Sequence, residues 1–120
     1  MRRVAVLGAT GSIGQSTLDV VARHPSRYRA TVLSANRSVT EMAALCRDHL
    51  PEHAVMADDS AAEALRKMLA DLPEVEVSAG SEVLDKLVAA PEIDTVVAGI
   101  VGFYKHLWNT CFVSTTHSRP

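Results

Sequence analysis

The sequence predicts an α/β domain whose doubly wound, mainly parallel sheet carries helices on both faces. Short apolar runs that suit buried strands alternate with longer segments whose apolar residues recur at helical spacing. The strand-like runs are continuously apolar, which is typical of a parallel sheet covered on both sides. With 120 residues, 48% of them hydrophobic and 22% charged, the chain fits one domain of ordinary size.

Five strands are predicted between the start of the chain and residue 98. They cover residues 4–7, 31–33, 53–56, 75–77 and 95–98. Four helices are predicted between them, because each intervening segment has a single apolar face. The predicted buried faces comprise Ile13, Thr17, Val20 and Val21; Val39, Met42, Ala43 and Cys46; Ala61, Leu65, Met68, Leu69 and Leu72; and Val83, Leu84, Leu87 and Val88.

Two helix starts carry a capping-box pattern. Ser38 is followed three residues later by Glu41, and Ser60 by Glu63. Such pairs satisfy the free N–H groups of a first helical turn, so helices are expected to begin at both serines. Asp58 is expected to support the N-terminus of the later helix rather than to bind a metal ion.

The turn after the first strand contains three glycines at regular spacing, Gly8, Gly11 and Gly14. We expect Gly8 to permit a tight turn, Gly11 to let backbone N–H groups approach a diphosphate, and Gly14 to let the helix pack closely on the sheet. Thr10 and Ser12 add hydroxyl donors, and the helix N-terminus favours an anion. A turn that only permits close packing is the alternative, but the position between a strand and a helix favours a Rossmann-like dinucleotide site.

The end of the second strand indicates which dinucleotide is bound. An acidic residue that would hold the ribose hydroxyls of NAD is missing there, and Asn36, Arg37 and Ser38 follow the strand instead. A guanidinium suits a 2′-phosphate, so NADP is favoured over NAD. The alternative is that Arg37 is a solvated charge at a helix start, where the helix dipole disfavours a cation.

The segment VLGATGSIGQSTLDV, residues 6–20, closely resembles the opening of 1-deoxy-D-xylulose 5-phosphate reductoisomerases. Its STLD run is not required for generic dinucleotide binding, which makes the resemblance specific. Residues 33–40, 46–55 and 93–102 are similar to the same family in the same order. Together these segments cover nearly all of residues 1–102.

The resemblance implies NADPH-dependent conversion of 1-deoxy-D-xylulose 5-phosphate to 2-C-methyl-D-erythritol 4-phosphate, a step of isoprenoid precursor synthesis by the methylerythritol phosphate route. It also implies a homodimer and a divalent ion, magnesium or manganese, that polarises the substrate carbonyl. By matching motif, the diphosphate would be held by Thr10, Gly11, Ser12 and Ile13, and the 2′-phosphate would be surrounded by Asn36, Arg37 and Ser38. Residues 99–102 would pass close to the nicotinamide.

The composition changes after Gly102. Residues 103–120 contain four of the five aromatic residues and no Asp or Glu, and they do not resemble the family. We therefore predict an NADPH-binding domain over residues 1–102 and an irregular tail over residues 103–120. Because the family's metal ligands and substrate pocket follow this point, the chain is expected to bind NADPH without turnover.

Composition excludes several other classes. A net charge of −2 does not suit a nucleic-acid-binding module, and no apolar run approaches the roughly 20 residues of a membrane span, so a cytoplasmic location is expected. Cys46 and Cys111 are interpreted as reduced thiols. The spacing of Cys46, His49 and His53 could suit a metal site, but Pro51 interrupts it and a fourth ligand is missing.

Two alternative functions stay open at this point. One is a different NADP-dependent reductase or epimerase, which would need a Tyr-x-x-x-Lys pair or a cysteine nucleophile beyond the sheet. The other is a nucleotide-binding fragment without catalytic activity. Binding of NADPH without turnover distinguishes such a fragment from an enzyme.

Overall fold

A computed structural model of the protein describes residues 2–98. The predictions for residues 99–102 and for the tail, residues 103–120, lie outside this range. The described elements are β1 (Arg2–Leu7), α1 (Ser12–Arg23), β2 (Tyr28–Ala35), α2 (Val39–His49), β3 (His53–Met56), α3 (Asp59–Met68), β4 (Glu76–Ala79), α4 (Ser81–Val88) and β5 (Thr95–Ala98). Their alternation confirms the predicted α/β class.

The five strands form one sheet in the order β4-β3-β2-β1-β5, and every neighbouring pair is parallel. From β1 the chain proceeds outward through β2 and β3 to β4, and it then returns to place β5 on the other side of β1. The strand order therefore reverses next to β1. In open parallel sheets, ligands bind beyond the carboxyl ends of the strands at such a reversal.

Each face of the sheet has its own hydrophobic core. On one face, Leu18 of α1, Met42 of α2 and Leu65 of α3 are buried in one cluster with alternate strand residues. On the other face, Leu84 and Val88 of α4 pack against the remaining strand residues. Helices cover both faces, which confirms the doubly wound architecture. None of these four helices combines the length and the apolar surface needed to cross a membrane.

The predicted apolar face of α1 is partly wrong. Val21 is buried as predicted, but Ile13 and Val20 are 46% and 50% exposed. Gly14 and Leu18 are buried in their place. Apolar residues occupy two adjacent stripes of this helix, and the stripe that contains glycine lies inward because it allows the closest approach.

The start of α3 differs from the predicted capping box. The N-cap is Asp58, whose Oδ1 accepts a hydrogen bond from the N–H of Ala61 at 2.8 Å, so the box that begins at Ser60 is wrong. The expected support of this helix start by Asp58 is confirmed. Glu63 lies beside Arg66 at 3.4 Å and does not reach back to the cap.

Smaller differences concern α2 and the end of α3. The helix α2 begins after Ser38 as predicted, but the Ser38 side chain makes no capping hydrogen bond. Met68, the last residue of α3, is exposed rather than buried, whereas Leu69 is buried as predicted.

Candidate functional site

The turn that follows β1 is folded back onto the end of β2. Gly8 has a φ of +77°, a left-handed conformation that glycine adopts without strain, which confirms the predicted tight turn. The N–H groups of Gly8 and Ala9 donate to the Ser34 carbonyl oxygen at 3.0 and 2.8 Å. The N–H of Gly11 donates to the Gly8 carbonyl oxygen at 3.0 Å. The conformation of this turn is therefore fixed by backbone contacts.

Gly14 and Gly11 differ in what surrounds them. A Cβ on Gly14 would lie 2.3 Å from the Gly8 carbonyl oxygen and 2.7 Å from the Ala9 Cα. Close packing at Gly14 is confirmed, although its immediate partner is the turn rather than the sheet. A Cβ on Gly11 would meet its nearest described neighbour, the Gly8 oxygen, at 3.4 Å, which is an ordinary contact. Internal packing requires glycine at position 14 but not at position 11.

The N-terminus of α1 faces outward from the glycine turn. Gly11 is its N-cap and provides no side-chain cap, and the first turn has no acidic residue. The first N–H groups of a helix have no partner inside the helix, and they carry a partial positive charge. Ser12 and Ile13 are exposed, and Thr10 is half-buried. The Thr10 carbonyl oxygen accepts a hydrogen bond from Gln15 Nε2 at 2.7 Å, which fixes the turn to the helix.

The second group of predicted site residues follows β2. In the parallel pairing of β1 with β2, Leu7 lies opposite Ser34, so the glycine turn and the loop of residues 36–38 leave the same edge of the sheet. Asn36 is exposed, Ser38 is half-buried, and the Arg37 side chain is 85% exposed. The structure thus places both predicted groups on neighbouring loops.

Arg37 has a partner that the sequence analysis missed. Its Nε lies 3.4 Å from Oδ2 of Asp58, the residue whose other oxygen caps α3. The backbone connects the same two loops, because the N–H of Ala57 donates to the Asn36 carbonyl oxygen at 3.2 Å. The Asp58 carboxylate can itself offset the unfavourable position of the Arg37 charge at a helix start, so this position alone does not indicate a bound anion. The signal was available in principle, since Asp58 follows the strand paired with β2.

Other concave or reactive features of the described residues lie elsewhere. A cleft of about 920 Å³ opens at the opposite edge of the sheet, beside Arg2, Arg3 and Asp94. Arg3, one of the residues that line this cleft, forms an ion pair with Glu52 at 2.6 Å. The cleft offers no counterpart to the glycine turn.

The candidate thiol and metal ligands do not form a site in the described part of the chain. Cys46 is buried in α2, and burial raises its pKa to about 11, which leaves it protonated and unreactive at neutral pH. Within residues 2–98, no three His, Cys, Asp or Glu side chains gather closely enough to hold a metal ion, and this includes the set of Cys46, His49 and His53.

Comparisons with known sequences match one family. A family model described as 1-deoxy-D-xylulose 5-phosphate reductoisomerase matches residues 4–110. The reductoisomerase of Nitrosococcus oceani is 54% identical over 100 residues, which are 82% of this chain and 25% of that protein. That of Methylococcus capsulatus is 49% identical over 104 residues, 85% of this chain and 26% of that protein. The chain spans about a quarter of the length of these curated relatives.

Solved structures of the same family share the fold. The 1-deoxy-D-xylulose 5-phosphate reductoisomerase from Zymomonas mobilis in complex with NADPH matches with a TM-score of 0.76 and 42% identity, over 84% of this chain and 26% of that one. A DOX-P reductoisomerase in complex with NADPH, fosmidomycin and magnesium matches with a TM-score of 0.77 and 33% identity, over 83% of this chain and 24% of that one.

Proposed function

Because this chain belongs to the 1-deoxy-D-xylulose 5-phosphate reductoisomerase family, we propose that it is the NADPH-binding part of such an enzyme. The complete enzyme would convert 1-deoxy-D-xylulose 5-phosphate to 2-C-methyl-D-erythritol 4-phosphate as a homodimer, with magnesium or manganese as Lewis acid. NADPH would supply the reducing equivalent. Membership of this family excludes the alternative that the chain comes from an unrelated NADP-dependent reductase or epimerase.

The observation that carries this proposal is the space left at Gly11. The described protein does not fill the position of its missing side chain, and the helix N-terminus beside it presents N–H groups without helical partners. A diphosphate fits both features, because its charge suits the helix end and its oxygens need close backbone approach. In this arrangement the diphosphate is held by Thr10, Gly11, Ser12 and Ile13.

The loop of residues 36–38 would select the phosphorylated cofactor. Asn36, Arg37 and Ser38 surround the 2′-phosphate in the proposed complex. The loop has no acidic residue, and the carboxylate found beside Arg37 in the described part of the chain belongs to Asp58, on the next loop, 3.4 Å from Nε. The two terminal nitrogens form a fork that matches a phosphate. NADPH is therefore preferred to NADH.

We further propose that this chain binds NADPH but does not catalyse the conversion of 1-deoxy-D-xylulose 5-phosphate. In the resemblance described above, the acidic metal ligands and the pocket for the phosphorylated sugar belong to segments beyond Gly102. The residues assigned to the phosphates of NADPH lie on the two loops after β1 and β2, and residues 99–102 would pass close to the nicotinamide. Catalysis requires the substrate and the metal ion in addition, and these would be held by the rest of the complete enzyme.

Calorimetric titration of the 120-residue chain with NADPH and with NADH tests the proposal. We expect NADPH to bind about ten- to a hundredfold more tightly, the effect of one charge-assisted phosphate contact. Equal binding of the two would remove the assigned role of Arg37, and absence of binding by a chain folded by circular dichroism would overturn the proposal. Consumption of NADPH in the presence of magnesium and 1-deoxy-D-xylulose 5-phosphate would contradict the lack of turnover.

A further inference from the structure

We propose that Asp58 is a positioning residue that holds Arg37 in the orientation required by the 2′-phosphate and thereby sets the preference for NADPH over NADH. The proposal rests on the cofactor assignment made above. It concerns the N-cap of α3, two residues after β3, on the loop next to the one that would contact the cofactor.

The two oxygens of the Asp58 carboxylate have different partners. Oδ1 accepts a hydrogen bond from the Ala61 N–H at 2.8 Å, and this bond fixes the carboxylate to the start of α3. Oδ2 lies 3.4 Å from Nε of Arg37. The start of a regular helix therefore sets the position of the carboxylate that lies beside the guanidinium.

The backbone keeps the two loops in register. Ala35, the last residue of β2, lies opposite Met56, the last residue of β3. One step further, the Ala57 N–H donates to the Asn36 carbonyl oxygen at 3.2 Å. Asp58 and Arg37 are the next residues on each loop, so strand pairing itself brings them together.

Arg37 depends on this contact for its orientation. Its side chain is 85% exposed, and within residues 2–98 its recorded side-chain partner is Asp58. In the proposed complex Asp58 stays on one side of the guanidinium, 3.4 Å from Nε, and the phosphate is bound by the two terminal nitrogens. Orienting a flexible side chain before binding improves affinity because less conformational freedom is lost on binding. The repulsion between Asp58 and a phosphate acts through solvent, where salt screens it.

Asp58→Ser separates the two roles of this residue. Serine is as good an N-cap as aspartate, so α3 keeps its cap, but its hydroxyl is too short to reach Arg37. We expect the Kd for NADPH to rise three- to tenfold and the Kd for NADH to stay unchanged. In an Arg37→Ala background the same substitution should change neither Kd. Asp59→Ser, at the exposed first residue of α3, is the matched control and should leave both Kd values unchanged.

Asp58→Asn provides a second variant with an equally good cap, and thermal unfolding verifies that both variants fold. Equal weakening of NADPH and NADH would show a purely structural role for Asp58, and tighter or unchanged NADPH binding would also overturn the proposal. A persistent effect in the Arg37→Ala background would show that Asp58 does not act through Arg37. If Arg37→Ala itself leaves NADPH binding unchanged, the cofactor assignment fails as well, and the two failures are thus distinguished.

Discussion

The glycine turn after β1 and the loop after β2 lie side by side at the carboxyl edge of the sheet, but they are built from different parts of the chain. The turn is formed by backbone contacts among Gly8, Gly11 and Gly14 and the end of β2. The loop presents side chains, and its main charged group is almost fully exposed. A change at Gly14 should therefore alter folding, a change at Gly11 should alter the binding of both dinucleotides, and a change in the loop should alter only the choice of cofactor.

The largest expected effect is at Gly14. In Gly14→Ala the new Cβ would lie 2.3 Å from the Gly8 carbonyl oxygen, so the helix or the turn must move. We expect a loss of about 3 kcal/mol in the free energy of unfolding, the upper range for overpacking, measured by urea denaturation. The control is Gly80→Ala, where no described atom lies within 4 Å of the new Cβ. With φ at +100° and ψ at 152°, this variant should cost about 1–3 kcal/mol from backbone strain without a steric clash. A loss of less than about 1 kcal/mol in Gly14→Ala would contradict a steric role for Gly14.

The next largest effect is expected at Gly11, where a substitution should weaken cofactor binding without reducing stability. Gly11→Asp places a carboxylate at the N-cap of α1, where its Cβ fits at 3.4 Å from the nearest described atom. Stability should be unchanged or slightly higher, because aspartate is a good N-cap. The affinities for NADPH and NADH should both fall about a hundredfold, since the carboxylate accepts hydrogen bonds from the N–H groups at the start of α1 and repels the diphosphate.

Gly11→Ser serves as the uncharged control for that variant. It should also keep the fold, and it should weaken both dinucleotides less than the aspartate does. If Gly11→Asp binds NADPH as the unmodified chain does, the diphosphate is not at this helix end.

At Arg37 the expected effect is comparable or smaller, and it is selective. Arg37→Ala should raise the Kd for NADPH about ten- to a hundredfold and leave that for NADH within about twofold, as measured by calorimetry. Stability should not change, because the side chain is exposed. Arg23→Ala removes another exposed, paired arginine at the far end of α1 and should affect neither ligand. A similar loss for NADPH in both variants would indicate a general charge effect.

Local signals explain what the sequence predicted correctly. The strands were recognised because each is a short apolar run between helices, and Gly8 because a strand must leave the sheet in a tight turn before a helix. The inward face of α1 was predicted only in part because Ile13 and Leu18 lie on adjacent apolar stripes, and only packing against the turn selects one. The capping box at Ser60 was wrong because Ser60 and Asp58 both suit an N-cap, and Asp58 takes that position.

The site was predicted less completely than the fold. Gly11 and Ser12 are consecutive in the sequence, so their position on one loop could be predicted without knowing the strand order. The contact of Arg37 with Asp58 depends on the pairing of β2 with β3, which a single sequence does not specify. Contacts between neighbouring loops require the strand order and register before any side chain can be placed.

The smallest expected effect is that of Arg37→Ala on the reactivity of Cys46. The rate at which this thiol is labelled compares the turn and the loop without any ligand. Cys46 is buried in the second half of α2, and with a pKa of about 11 only about one thiol in a thousand is ionised at pH 8. In a Cys111→Ser background, labelling of Cys46 by a thiol-specific reagent should be slow, and it should accelerate as the pH rises toward 11. Arg37→Ala should change the rate by less than about twofold, whereas Gly14→Ala should accelerate it about a hundredfold through opening of the fold. Faster labelling in the Arg37 variant would show that the loop also stabilises the core.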